Sequence, residues 1–393
     1  MDKILKIGVF GVFRGADYCR ELLKIPNAKV TAICDNNQAM IDNCMQYVGP
    51  DTKVFKDYDE MLDYDIDAVI LCNTFDKHTP ASIKAFKKGK AVLTETTPCA
   101  TLKECVELVE AAEKYNAVYA LAENYPYIRG NKEMRRVYKT GILGNVSFAE
   151  GEYVHPMDPK LAVKYQPTPH HWRSYLPCTY YCTHALSPLM FMTDHMPVKV
   201  MGKQALNEDG EVMGGLMLVE TDKKALFRIF GSAHFGCMEN WYRLGCDRGE
   251  VENVRGSNDM VRLVLNPWQR VPGTENMGDE NLYYPETTEI DTLATNSGKR
   301  TDDHGHWGAD QWMIRTFVNN VLDGEKPYMD VYRSAALSAV GIIGWYSILD
   351  GSTWMDIPDF TKKEDRDKVR DDDRNPFPDK DLNTTLPCVY HQD

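Results

Sequence analysis

Residues 4–23 read ILKIGVFGVFRGADYCRELL. The run Ile4–Phe10 is apolar and enters a turn, Gly11-Val12-Phe13-Arg14-Gly15-Ala16, after which a helix is predicted from about Asp17 to Ile25. A continuous apolar run suits a strand buried on both faces of a parallel sheet. A glycine turn between such a strand and a helix lets the backbone approach a pyrophosphate, and the helix N-terminus then faces the negative charge. Working outward, Val30–Cys34, Ala68–Cys72, Ala91–Leu93 and Ala117–Leu121 are further short runs of the same kind, with helical spacing between them. The clearest intervening helix opens at Thr101, where Thr101 and Glu104 form a capping box ahead of Leu102, Cys105, Leu108, Val109 and Ala112. The alternation predicts a doubly wound parallel sheet with right-handed crossovers.

Asp35 ends the second strand, VTAICD, at the distance from Gly11 where a carboxylate meets the adenosine ribose hydroxyls of a dinucleotide. A carboxylate there repels a 2′-phosphate, so NAD is expected rather than NADP. A strand-end turn residue is the simpler reading of Asp35 alone. With Phe13 and Ala16 at its second and third glycine positions, the turn is an imperfect fingerprint, and strand order and spacing carry the Rossmann reading. The predicted cofactor contacts are Gly11, Phe13, Arg14, Gly15 and Asp35, joined by Asn73 and Thr74 after the third run and Glu95 after the fourth. His78 fits either a ligand contact or a helix-start residue with a satisfied side chain.

Beyond residue 125 glycine and proline become frequent. Val146–Tyr153, Met213–Glu220 and Ala225–Gly231 alternate as antiparallel strands with one exposed face do, and late helices are predicted at Trp307–Leu322 and Tyr332–Ile348. The expected organisation is an α/β Rossmann domain over 1–125, an α+β domain with a large, mostly antiparallel open sheet over 126–360, and an extended charged tail over 361–393. Lys+Arg 45 against Asp+Glu 58 gives a net charge of -13, which argues against nucleic-acid and anionic-membrane partners. Residues 361–380 hold as many basic as acidic side chains, so the acidity belongs to the folded body. The cysteines are scattered, without a Cys-x-x-Cys pair, and free thiols suit a reducing cytoplasm. The longest apolar run, Ala335–Leu349, is too short to span a bilayer and is read as a buried helix. No targeting or membrane segment is expected.

These residues resemble the Gfo/Idh/MocA oxidoreductases in order along nearly the whole chain: the Gly11 turn, Asp35, Cys72–His78, Glu95 with Pro98, Thr140–Gly144, Arg243–Gly249 and Met355–Phe360. Family dehydrogenases carry Glu-Lys-Pro after the fourth strand and an Asp four residues before the catalytic His. Here the first reads Glu95-Thr96-Thr97-Pro98 and the second position is Tyr180. Tyr181-Cys182-Thr183-His184-Ala185-Leu186-Ser187-Pro188 is similar to the Tyr-x-Thr-His-x-Leu-x-Pro pattern of the family's NAD-dependent glycosidases, the α-N-acetylgalactosaminidase-like branch. His171-Trp172-Arg173 and Ala122-Glu123-Asn124-Tyr125 also resemble that branch.

The resemblance implies NAD as cofactor, Asn124 as a further cofactor contact, and His184, Tyr181 and Tyr153 at the chemistry. An imidazole titrates near neutrality and suits the base that takes a sugar hydroxyl proton. His155, His171, Trp172, Arg173 and His306 are the expected substrate contacts, with His171 and its neighbour His170 equally readable as a loop latch. A His-x-His beside carboxylates, Asp302-Asp303-His304-Gly305-His306, suggests metal at first sight. Gly305 and Gly308 argue instead for a loop before a helix, and no metal is expected. Three functions follow: a sugar oxidoreductase forming a keto sugar, a redox-neutral NAD-dependent glycoside hydrolase, or a non-catalytic NAD and sugar sensor. A homo-oligomer is implied by the resemblance.

Overall fold

The computed structural model describes residues 3–156, 171–234, 236–257, 259–286 and 305–389. They gather into two compact units: the described parts of Met1–Asn124, Glu289–Ala335 and Phe360–Asp373, and those of Tyr125–Thr288, Ala336–Asp359 and Arg374–Asp393. The units are not the contiguous stretches 1–125, 126–360 and 361–393 expected from composition. The last of these is not one extended arm. It carries the helix Lys363–Val369, whose Arg366 is 7% exposed and pairs with Glu113 at 2.7 Å, while Arg370 pairs with Glu110 at 2.6 Å. Farther along, Phe377 and Leu386 are buried in the second unit, and Trp345 Nε1 donates to the Pro387 carbonyl at 2.7 Å. The balanced charges of this segment have partners hundreds of positions earlier, which a local reading does not register.

In the first unit β1 (Leu5–Phe10), β2 (Ala28–Cys34), β3 (Lys53–Phe55), β4 (Ala68–Leu71), β5 (Ala91–Thr94) and β6 (Tyr119–Leu121) form one six-stranded sheet in the order β3-β2-β1-β4-β5-β6, with every pairing parallel. Every residue of β4 is fully buried, as are Leu5, Ile7 and Val9 of β1, which is why these strands read as unbroken apolar runs. The strand order reverses between β1 and β4, and ligands bind at the carboxyl ends beside such a switch. The first helix spans Val12–Leu22, five residues ahead of its predicted start at Asp17. Gly11, at φ +84, turns the chain directly into the helix, and the Gly15 amide closes the first turn on the Gly11 carbonyl at 3.2 Å.

The second unit is built on a nine-stranded sheet. It comprises β7 (Val146–Val154), β8 (Pro197–Leu206), β9 (Val212–Thr221), β10 (Leu226–Ser232), β11 (Glu239–Cys246), β12 (Gly249–Asn253), β13 (Val261–Leu265), β14 (Glu280–Tyr283) and β15 (Met355–Asp356), in the order β14-β13-β12-β11-β7-β10-β9-β8-β15. The pairing of β7 with β10 is parallel and the rest are antiparallel. The helix Thr183–Thr193 lies against β7 at Gly151, where a Cβ would stand 2.1 Å from the Ala185 carbonyl oxygen. Only glycine permits that approach. The apolar run Ala335–Leu349 falls in the helix Val331–Leu349, and among the described residues no helix is long and apolar enough to cross a membrane.

Candidate functional site

Each unit presents a polar cluster. In the first, a Cβ at Gly11 would lie 2.4 Å from the Cys72 carbonyl oxygen, so only glycine lets the ends of β1 and β4 come this close. The Asp35 carboxylate accepts from the Val12 and Asn37 amides, each at 2.8 Å. Its oxygens keep further lone pairs for ribose hydroxyls. After β4, β5 and β6 respectively, Asn73 Oδ1, Thr97 Oγ1 and Asn124 Oδ1 are buried without a hydrogen-bond partner among the described residues. Buried acceptors of this kind ask for a ligand or water. The turn, the carboxylate and these oxygens together fit a dinucleotide, with Asp35 toward its ribose. Thr74 is exposed beside Asn73, and Phe13 is 38% exposed at the turn.

Arg14 and Glu95 are already engaged with protein. The Arg14 guanidinium donates to Glu95 at 2.9 Å, to Asp17 at 3.1 Å and to both oxygens of Asp310 at 3.0 and 2.9 Å. Glu95 also accepts from the Tyr18 hydroxyl at 2.5 Å and the Thr96 amide at 3.0 Å. Asp310, with no exposed side chain, further accepts from Asn124 Nδ2 at 2.7 Å and meets His306 Nδ1 at 3.1 Å. Burial works to raise both carboxyls, but Arg14 foremost overcomes it, and both lie below the ordinary carboxylate range. His306 and Trp307 stand at φ 50 and 55, a conformation that non-glycine residues adopt at a cost. His78 is 1% exposed, with Nδ1 2.9 Å from the Thr97 carbonyl and Nε2 3.1 Å from that of Asn73. Burial lowers its imidazole below the usual value. The geometry favours the helix-start reading: His78 sits between the loops after β4 and β5, and its neutral ring donates to one of these two carbonyls at a time.

The second unit gathers aromatic rings around His184. Its imidazole centroid lies 4.3 Å from Tyr125, 4.7 Å from Tyr153 and 5.1 Å from Tyr181, and His155 lies 5.7 Å from Tyr153. His184 is 6% exposed in the first turn of its helix. Pro188, four residues on, lacks the amide that would bond the His184 carbonyl. The Tyr242 hydroxyl from β11 donates to that carbonyl instead, at 2.6 Å. His171, Trp172 and Arg173 form a stack of their own, with ring centroids 5.4 Å apart and the guanidinium 4.4 Å from the indole. His170, Asp302, Asp303 and His304 lie outside the described residues.

Residues 4–123 match the family described as "Oxidoreductase family, NAD-binding Rossmann fold" (GFO_IDH_MocA), and residues 291–366 match "Glycosyl hydrolase 109, C-terminal domain". The chain is thus similar to the Gfo/Idh/MocA oxidoreductases over residues 4–123 and to glycosyl hydrolase 109 proteins over residues 291–366. Among its relatives is an α-N-acetylgalactosaminidase of Shewanella oneidensis, 24% identical over 407 residues that cover 92% of this chain and 86% of that one. A glycosyl hydrolase family 109 protein of Shewanella baltica (strain OS155) is 24% identical over 406 residues, 91% of this chain and 85% of its own. A levoglucosan dehydrogenase in complex with NADH and levoglucosan superposes with a TM-score of 0.75 at 13% identity, over 91% of this chain and 100% of that chain. The myo-inositol 2-dehydrogenase of Lactobacillus plantarum gives 0.68 at 17% identity, over 90% and 100%. At these identities the structural likeness establishes the fold.

Against the Gfo/Idh/MocA pattern, both departures have visible consequences. Tyr180, at the position of the expected Asp, is 2% exposed with its ring 6.2 Å from Phe377. The absent Lys leaves Thr96 and Thr97, both buried. Thus His184, Tyr181, Tyr153 and His155 come together in the second unit, whereas His306 belongs to the first, against Asp310. Sequence reading missed Tyr125, Tyr242, Tyr18 and Asp310 as members of these clusters. Two of them left a trace: Tyr125 in the Ala122–Tyr125 stretch, and Asp310 one helical turn after His306. Neither Tyr242 nor Tyr18 has a motif to mark it.

Proposed function

We propose that the chain is an NAD-dependent enzyme acting on a sugar or glycoside by hydride transfer at a ring hydroxyl. The observation that carries this is His184 ringed by Tyr125, Tyr153 and Tyr181, in a chain whose other unit is an NAD-binding Rossmann domain. Asp35, Asn73, Thr97 and Asn124 hold the dinucleotide, and the Asp35 carboxylate favours NAD over NADP because it repels a 2′-phosphate. Bound NAD supplies the hydride acceptor and, in a redox-neutral cycle, the donor that returns the hydride. His184 takes the proton of the hydroxyl being oxidised. Tyr181 and Tyr153 offer phenolic hydroxyls for hydrogen bonds to the sugar, and His155 extends the same surface. The flanking stack of Trp172 and Arg173 suits a sugar face and its hydroxyls. The protein works in the cytoplasm as a homo-oligomer, which sedimentation would test.

A second reading is favoured by the glycosyl hydrolase 109 match over residues 291–366. A 3-keto sugar has an acidic C2 proton. A base removes it, the glycosidic oxygen leaves by elimination, water adds back, and the ketone is reduced. This cleaves a glycoside without net redox change and without the in-line carboxylate pair of ordinary glycosidases. Thr96 and Thr97 in place of the dehydrogenase Lys, and Tyr180 in place of its Asp, agree with this branch.

One assay decides. Glycosides and free sugars are supplied with NAD, and nicotinamide absorbance and aglycone release are followed together. NADH accumulating without release supports the oxidoreductase. Release with catalytic NAD and solvent deuterium at C2 supports the redox-neutral hydrolase. Binding of NAD and sugar with no turnover across the panel refutes both and leaves a sensor.

A further inference from the structure

The second unit holds a cavity of about 480 Å3 whose lining includes Lys139, Lys223, Lys224 and His195. Three lysines converging on one cavity are unexpected in a chain of net charge -13. Lys139 ends the helix Arg129–Lys139, and Lys223 and Lys224 lie between β9 and β10. Asp194 is held by both Lys139 and Arg135, and the Lys223 ammonium donates to the Asp194 backbone carbonyl at 3.1 Å. Lys224 is exposed and makes no ion pair among the described residues. The local balance therefore stays cationic.

His195 adds a second, independent feature. It is 3% exposed, and its ring stacks on Phe227 with centroids 5.7 Å apart. Its Nδ1 lies 3.0 Å from Thr221 Oγ1, and that hydroxyl donates to the Ala225 carbonyl at 3.2 Å. In the tautomer that lets the threonine hydroxyl keep its bond to Ala225, the threonine oxygen receives the Nδ1 hydrogen and Nε2 is an acceptor with no partner among the described residues. Burial, helped by Lys223 and Lys139 and opposed by Asp222 and Asp194, holds this imidazole down to about 4, so it is neutral at physiological pH. The cavity thus offers ammonium groups together with a lone-pair acceptor. The complementary ligand is an anion that still carries a proton of its own.

We propose that this cavity is a binding site for a small protonated oxyanion of the phosphate class, its charge taken by Lys223, Lys224 and Lys139 and its hydroxyl by His195 Nε2. Hydrogen phosphate keeps such a hydroxyl at neutral pH, and a phosphate monoester keeps one as its monoanion, below its second pKa of about 6. Sulfate, fully ionised at neutral pH, has charge but no hydroxyl to donate.

The test uses the full chain with isotope-labelled histidine, and the His195 ring signals, assigned with a His195→Gln variant, are followed by NMR at constant ionic strength. Inorganic phosphate, methyl phosphate and sulfate are titrated separately. Saturable movement of the His195 signals with phosphate or methyl phosphate, and a response to sulfate weaker by about tenfold, supports the site; the arm that binds tighter tells free phosphate from a monoester. Lys223→Gln combined with Lys224→Gly removes two exposed charges, and glycine suits the φ of 66 at position 224. This double variant should weaken phosphate binding by about tenfold. No saturable shift, equal affinity for sulfate, or unchanged affinity in the double variant overturns the proposal.

Discussion

Arg14 in the first unit meets Glu95, Asp17 and Asp310, so the cluster beside the nucleotide turn is held by opposite charges. His184 in the second unit lies among Tyr125, Tyr153 and Tyr181, and its place is set by backbone: a glycine that admits the helix and a proline that frees a carbonyl for Tyr242. Buried charges with fixed partners make a rigid frame but move protons poorly, since each is stabilised in one protonation state. An imidazole can accept and return a proton within a hydrogen bond, and phenol hydroxyls can donate hydrogen bonds beside it. Under the proposed function, the first cluster serves geometry and the second serves proton transfer.

The largest expected effect belongs to the second cluster. His184→Ala should lower kcat/KM on any responding sugar by about 10²–10⁴-fold, with the fold intact by circular dichroism. Retained turnover would sink the division of labour. Asp310→Asn should act first on stability. It leaves Arg14, whose side chain is 23% exposed, with less compensation, costing about 1–3 kcal/mol in urea denaturation. A neutral result there would mean that the charged frame is not what holds the first unit. Tyr242→Phe should cost about 1–3 kcal/mol because the His184 carbonyl loses its donor. It should also reduce kcat more than NAD binding, as a displaced base does. The smallest effect concerns Glu104, a half-buried carboxyl with no salt bridge among the described residues to match those of Asp310 and Glu95. Burial lifts it to about 7, against the Ala100 amide that donates to it at 2.7 Å. A carboxyl raised in the folded state favours folding when protonated. That contribution is present below the unfolded value of about 4.5 and fades as pH rises through about 7. Thermal melts should therefore show Glu104→Gln gaining on the parent from pH 5 to pH 8, and a parallel pH dependence would refute the assignment.

The parallel sheet was legible because strands buried on both faces must be apolar throughout; Ala68–Leu71 and Leu5–Phe10 state this in their composition. The place of Asp35, at the end of β2 beside the Gly11 turn, was legible because its distance from Gly11 along the chain follows from the fold. The edge strand Lys53–Phe55 is too short and too polar to announce itself. Arg14 looked like a cofactor contact because its turn is local, whereas its partner Asp310 stands 296 positions away. For the same reason residues 361–380 read as a solvated tail: ion pairs from Arg366 and Arg370 to Glu113 and Glu110 leave no mark on local charge patterning. The His184 motif located the aromatic cluster, but Tyr242 sits on a strand with no sequence spacing that ties it to position 184.

The proline-freed carbonyl of His184 has a further consequence for local opening. In an ordinary helix the first turn loses its main-chain restraints as soon as the following turn frays. Here the restraint on His184 comes from β11, an interior strand of the nine-stranded sheet. Transient fraying of the helix toward Thr193 then leaves His184 in register. The Ala185 amide, in the same peptide unit as that carbonyl, should exchange with the slow, cooperative opening of the sheet, while the distal helix exchanges on its own faster schedule.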